Sequence, residues 1–248
     1  MTRWARKARH GRASSTPRPH RSSIATGGTQ QARPTRGKFR YTPRKNLPWG
    51  KHDLGEAHNS TATKSHIVSS ELEALILVDS DDLEVGFLDK AACHDGDGLL
   101  HRAFSVFIVN TKGELLIHQR AANKRLWPNY WSNSCCSHPR RGESMQEAVA
   151  RRLEEELGLR TELQYLYKFE YQADYHDVGS EHELCWVYAG RTEAQPMINT
   201  TEIRDWRWVD RATLSAELAQ HSERFTPWFH MEFSRIERDF PRALEPKQ

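Results

Sequence analysis

Gly142-Glu-Ser-Met-Gln-Glu-Ala-Val-Ala-Arg-Arg-Leu-Glu-Glu-Glu-Leu-Gly-Leu159 is a helix written with both of its ends. Ser144 followed three residues later by Glu147 is a capping box, in which each residue's side chain satisfies a backbone N–H of the other. Gly158 supplies the left-handed stop position. Between them Met145, Val149, Leu153 and Leu157 recur every four residues with Ala148 beside them, so the helix has one apolar face to bury. Arg152 and Glu156 are also four apart and share a face. Taken alone, such a pair reads as a solvated ion pair that contributes little.

Immediately upstream stands Trp131-Ser-Asn-Ser-Cys-Cys-Ser-His-Pro-Arg-Arg-Gly-Glu143. The 133–139 segment is too irregular for a strand and too short for a helix, so it reads as a loop. It places the thiol of Cys136 two positions from His138, a potential metal ligand, and both side chains can turn into one pocket. A lone cysteine is ordinarily a small buried hydrophobe, and it is the neighbours that argue for chemistry here.

Outward from this centre the pattern is a mixed α/β domain. A short apolar run at 75–78 opens it, and runs at 103–109 and 114–119 flank Asn110-Thr-Lys-Gly113, a hairpin turn. Strands are expected at 162–171, 183–188 and 204–209, and helices at 212–219 and 231–240. Strand, helix and strand around one capped helix suit a layered α/β domain.

Charge divides the chain. Residues 1–68 hold 15 Lys and Arg against only Asp53 and Glu56, so that the overall +3 hides a basic arm and an acidic remainder. The arm is rich in Ser, Thr, Pro and Arg without apolar periodicity, and is expected to be disordered. It reads as an unselected extension or plain tail, with an organelle-targeting leader as the alternative and an electrostatic contact to nucleic acid as the third account. The domain proper is expected over 69–248.

No run of 18 apolar residues exists, which excludes a spanning helix of the usual kind. Cys93, Cys135, Cys136 and Cys185 show neither a disulfide framework nor paired C-x-x-C motifs, so zinc-finger and secreted-scaffold classes drop out. Free thiols fit the cytoplasm.

The helix resembles the Nudix box, G-x5-E-x7-R-E-U-x-E-E-x-G-U with U a bulky aliphatic. Glu143, Arg151, Leu153, Glu155, Glu156, Gly158 and Leu159 fall in place, whereas Ser137 replaces the first Gly and Arg152 the Glu after the Arg. In Nudix hydrolases the box carboxylates hold divalent ions. Exchanging one for a cation removes a ligand and adds a charge suited to holding a diphosphate.

With Cys136 and His138 this departure resembles the type I isopentenyl-diphosphate isomerase family over roughly residues 70 to 235. The motifs that carry the resemblance are Asp89-Lys90, His94, Leu100-His-Arg-Ala-Phe-Ser105, Gln119-Arg120, Lys124, Trp127-Pro128, the Cys136 loop, Glu181-His-Glu183 and Phe225-Thr-Pro-Trp228. The resemblance implies a Nudix-type α/β/α sandwich with a mixed sheet. It implies interconversion of isopentenyl and dimethylallyl diphosphate, for isoprenoid synthesis, through a tertiary carbocation. Hydrolysis of a nucleoside or prenyl diphosphate is the alternative, and a non-catalytic RNA-associated module using the arm the third reading.

By the same resemblance Cys136 and Glu183 are the proton-exchanging pair, and Lys90, Arg120, Lys124, Ser137 and Arg152 bind the diphosphate. Tyr171 and Trp228 lie near the hydrocarbon tail, where a π face stabilises a cation, although Tyr171 reads nearly as well as a core residue. His94, His101, His138, Glu181 and Glu183 form a five-ligand site for Mn²⁺, Mg²⁺ or Zn²⁺. A second ion, Mg²⁺, bridges Glu156, the Cys136 main-chain carbonyl and the diphosphate. Metal binding is expected to set the charge of Glu183, which then acts without a nearby histidine base. The partner is thus a small prenyl diphosphate rather than nucleic acid or membrane, and the protein a monomer or weak oligomer.

Overall fold

The computed structural model describes residues 66–246, so the basic arm lies outside the described residues except for its last three positions. There His66 and Val68 lend main-chain carbonyls to Asn199 and Arg152. The chain runs through β1 (Ala74–Val78), β2 (Glu84–Asp89), the one-turn α1 (Lys90–Cys93), β3 (His101–Val109), β4 (Leu115–Arg120), β5 (Trp131–Ser132) and β6 (Cys135–Ser137). It continues as α2 (Met145–Leu157), β7 (Leu163–Tyr175), β8 (Gly179–Arg191), β9 (Ile203–Val209), α3 (Arg211–Gln220) and α4 (Pro227–Asp239).

One mixed nine-stranded sheet is organised around β3. Along one edge β3 runs parallel to β8 over its whole length, from His101 opposite Glu183 to Val109 opposite Arg191. Along the other edge it pairs antiparallel first with β6, Ser105 opposite Cys136, and then with β4. Ser134 fills the fork between those partners: its Oγ accepts from Ile108 N at 2.8 Å and donates to the Leu116 carbonyl at 2.7 Å. Buried backbone groups that lose a ladder partner are thereby satisfied.

The near-continuous apolar run of β3 follows from burial on both faces. Phe104, Val106 and Ile108 pack with Leu116, Val149, Leu153 and Leu157 under α2. Phe107 and Val109 pack with Val187, Trp228, Phe229, Phe233 and Ile236 under α4 on the opposite face. The result is the α/β/α sandwich expected.

Helix α2 has the expected ends. Ser144 and Glu147 form the reciprocal capping box, and Gly158 is left-handed at φ 64°. A Cβ on Gly158 would also lie 3.1 Å from Met197 Cβ. Gly158→Ala is therefore expected to destabilise the fold by about 1–2 kcal/mol, read as a lower denaturation midpoint with unchanged slope.

Three expectations need correction. The 133–139 loop contains β6, a three-residue strand too short to show an alternating pattern, held by β3 rather than by its own propensity. Helix α4 begins at Pro227, four residues earlier than expected, because Pro supplies a preset φ at the first helical position. The Arg152–Glu156 pair is not solvated: both side chains are at most 4% exposed, with Nη2 to Oε1 at 2.5 Å.

Candidate active site and metal centre

Five ligand-type atoms converge at one end of the β3–β8 pair. Single atoms of His94, His101, His138, Glu181 and Glu183 all lie within 4.8 Å of one another, on five buried residues. Topology assembles them: His94 follows α1, His101 opens β3, His138 follows β6, and Glu181 and Glu183 share a face of β8.

The donor atoms face one another rather than partners. His101 and His138 turn their Nε2 atoms together at 3.2 Å. His94 Nε2 and Glu181 Oε2 stand 2.9 Å apart, yet neither makes a directed hydrogen bond. Nitrogens and carboxylate oxygens so arranged share a common focus, which a divalent cation fits. The His101 Nδ1 lies 2.7 Å from the Leu99 carbonyl, so Nδ1–H donates there and Nε2 keeps its lone pair for a metal. Burial holds the His138 ring well below the usual imidazole range, which keeps it neutral and ligand-competent.

Glu183 belongs to this cluster and to the adjoining slot. Its Oε2 accepts a 2.8 Å hydrogen bond from the Tyr171 hydroxyl, and its Oε1 lies 3.2 Å from His138 Nε2. Burial pushes its carboxyl up, but its polar partners, the His101 ring and then the Tyr171 hydroxyl, outweigh that and hold it below the ordinary range. Two imidazoles adjoin Glu183 as fellow members of the expected five-ligand cluster. Tyr171 is more than an aromatic wall, since its hydroxyl anchors the carboxylate.

Cys136 lines the same slot. Its Sγ lies 2.7 Å from Asn133 Oδ1, with the Ser105 and Ser132 hydroxyls at 3.7 and 3.8 Å. Burial pushes the thiol up to about 12, so it rests protonated. The slot therefore holds both a neutral acid and a charged carboxylate, the pairing that acid–base chemistry at neutral pH requires. Trp228 forms a further wall, pinned by its Nε1 donating to Ser132 Oγ at 3.1 Å.

One small cavity of about 60 Å³ is lined by Cys136, Ser137, His138, Tyr171, Glu181, Glu183 and Trp228, and also by the cations Lys90, Arg120, Lys124 and Arg152. All five residues expected to bind a diphosphate thus reach the same opening. Each cation is braced. Arg120 donates to the Leu126 and Trp127 carbonyls and lies over the Trp228 ring, 5.3 Å from its centroid. Lys90 donates to Ser69 Oγ, and Lys124 pairs with Glu202.

Glu156 stands apart from the five-ligand cluster, tied to Arg152. Sequence reading missed Glu202, which neutralises Lys124 and lies 3.4 Å from Arg152. It sits in a turn before β9, where no periodicity marks it.

Among the described residues no helix is long and apolar enough to cross a membrane. The NUDIX domain family matches residues 99–229. Among curated proteins, isopentenyl-diphosphate Delta-isomerase 1 of Photorhabdus laumondii is 45% identical over 167 residues, spanning 66% of this chain and 95% of that one. The isopentenyl-diphosphate Delta-isomerase of Burkholderia multivorans is 42% identical over 163 residues, spanning 66% and 92%. A crystal structure of a Deinococcus radiodurans protein superposes with a TM-score of 0.57 at 25% identity, covering 67% of this chain and 100% of that one.

Proposed function

The chain belongs to the Nudix-domain family of isopentenyl-diphosphate Delta-isomerases, and from that premise we propose that Cys136 and Glu183 are the groups that move its substrate's double bond. Isopentenyl and dimethylallyl diphosphate differ by one proton added at a terminal carbon and one removed from the carbon two positions along. Both groups face the same slot, one protonated and one charged, and this single observation supports the assignment.

The Cys136 thiol donates its proton to the terminal methylene, and the Glu183 carboxylate removes one from the methylene bonded to the other side of the tertiary centre. In the reverse direction the roles exchange. Trp228 and Tyr171 line the slot with π faces, worth roughly 0.5–2 kcal/mol to a cationic centre, and exclude the water that would capture it. Lys90, Arg120, Lys124 and Arg152 hold the diphosphate outside, with Ser137 as a further contact.

His94, His101, His138, Glu181 and Glu183 would hold a divalent ion, and its charge would keep Glu183 deprotonated. Three nitrogen donors favour Mn²⁺ or Zn²⁺ there over Mg²⁺. Glu156 and the Cys136 carbonyl would hold a Mg²⁺ that accompanies the diphosphate. A thiol that must stay reduced supports a cytoplasmic setting for this chemistry.

Incubation with isopentenyl diphosphate and Mg²⁺ in deuterated water is expected to give dimethylallyl diphosphate carrying deuterium. Release of inorganic phosphate instead would overturn the assignment in favour of a hydrolase. His138→Ala is expected to weaken retention of the five-ligand ion by at least about tenfold, measured by elemental analysis after dialysis against a chelator.

A further inference from the structure

Helix α4 carries a buried acid that the chemistry above does not use. Glu232 has no solvent exposure and lies on the stripe of Trp228, Phe229, Phe233 and Ile236. A charged carboxylate in such a place needs a cation, and among the described residues none pairs with it. Its Oε2 has no hydrogen-bond partner at all. Its Oε1 accepts from the Cys185 thiol at 3.5 Å.

Between this acid and the reactive thiol stands one hydroxyl. Ser105 Oγ and Glu232 Oε1 each lie 3.5 Å from Cys185 Sγ, which sets the hydroxyl beside the carboxyl. On its other side it donates to Cys136 Sγ at 3.7 Å. Ser105 and Cys136 are register partners in the β3–β6 pair, which fixes that contact.

A hydroxyl has one proton to give. A neutral Glu232 donates its own O–H to Ser105, and the Ser105 proton then points at the Cys136 sulfur, where it stabilises negative charge as the thiol gives up its proton. An ionised Glu232 draws the Ser105 proton to itself, since a charged acceptor makes the stronger bond. The thiol then loses the donor that would stabilise it as it gives up its proton.

We propose that Glu232, as a neutral acid, holds the Ser105 hydroxyl proton on Cys136, and so acts as a positioning residue for the proton-exchanging thiol. This rests on the assignment of Cys136 above. Glu232 would ionise only at alkaline pH: burial pushes its carboxyl up to about 8, against the smaller opposing effect of its Ser105 and Cys185 partners. The titratable groups facing it are Cys136 from β6, Glu183 and Cys185 from β8, and Tyr167 and Tyr171 from β7, none of them a cation.

The test compares kcat of Glu232→Gln with that of the unaltered protein from pH 7 to pH 9, in the Mg²⁺-supplemented isomerisation assay. A glutamine amide donates like the neutral acid and cannot ionise. The ratio of variant to unaltered turnover is expected to rise about tenfold over that interval, because the neutral fraction of a group titrating near 8 falls by that factor. Titration of substrate or of shared groups cancels in the ratio.

Ser105→Ala supplies a second measurement that does not depend on the glutamine variant folding. It starts from lower turnover, and its ratio to the unaltered protein is expected to rise over the same interval. In the Ser105→Ala background, Glu232→Gln should add no pH-dependent gain. A flat ratio overturns the inference, even if melting temperature shifts as for a merely structural carboxyl. A gain that persists without Ser105 overturns it as well. No isomerisation by the unaltered protein would instead overturn the underlying function, which separates the two failures.

Discussion

Glu183→Gln is expected to lower isomerase turnover by about 10³-fold or more, within the range that a positioned acid–base group contributes. The amide is nearly isosteric, but it cannot accept the proton that the carboxylate removes. The substitution also leaves the Tyr171 hydroxyl and the His101 and His138 rings facing a neutral group. Ion content must therefore be measured beside kcat. A variant that keeps its metal and loses turnover isolates the proton-transfer role, whereas near-normal turnover would remove Glu183 from that role altogether.

Cys136→Ser is expected to reduce kcat by about 10⁴-fold, at the upper end of the same range, with KM within a few-fold of its original value. A serine hydroxyl fits where the thiol sits, and Asn133 Oδ1 remains to accept its proton. The hydroxyl is, however, a far weaker acid than a thiol and gives its proton to an alkene much less readily. The diphosphate cations stay in place, because Lys90, Arg120, Lys124 and Arg152 are each braced by groups other than Cys136. Turnover within tenfold of the original would sink the assignment. A loss confined to KM would instead relocate Cys136 among the binding groups.

Elements with punctuation were readable from sequence. The capping box and Gly158 bound α2 to within a residue, and Asn110-Thr-Lys-Gly113 marked the β3–β4 hairpin. Strands β7 and β8 were found but truncated, β7 at its hairpin end and β8 at both ends, where Gly179, Ser180, Gly190 and Arg191 give little strand signal. Strands β2 and β6 and the single turn of α1 gave no signal, because three to six residues cannot display a period when the sheet edge holds them.

The site divides in the same way. His94, His101 and His138 come from three separate segments, so local spacing could not unite them and only the family resemblance did. Glu232 was legible in principle. Once α4 is begun at Pro227, a glutamate falls four residues after Trp228 and four before Ile236, on the apolar stripe where a charge is out of place. Beginning the helix at 231 hid that violation. The hydroxyl of Tyr171 was not legible, since nothing in a strand's sequence says which phenol meets a carboxylate across the hairpin; the register of Tyr171 opposite Glu183 decides it.

The pairing of β3 has an evolutionary consequence. Because that single segment fixes Cys136 through Ser105 and Glu183 through His101, it serves as a common ruler for both halves of the chemistry. The turns at 110–113 and 176–178 lie outside that ruler, whereas an indel within 101–105 would throw thiol and carboxylate out of step at once. Descendants should therefore diversify at the rims and keep this span gapless.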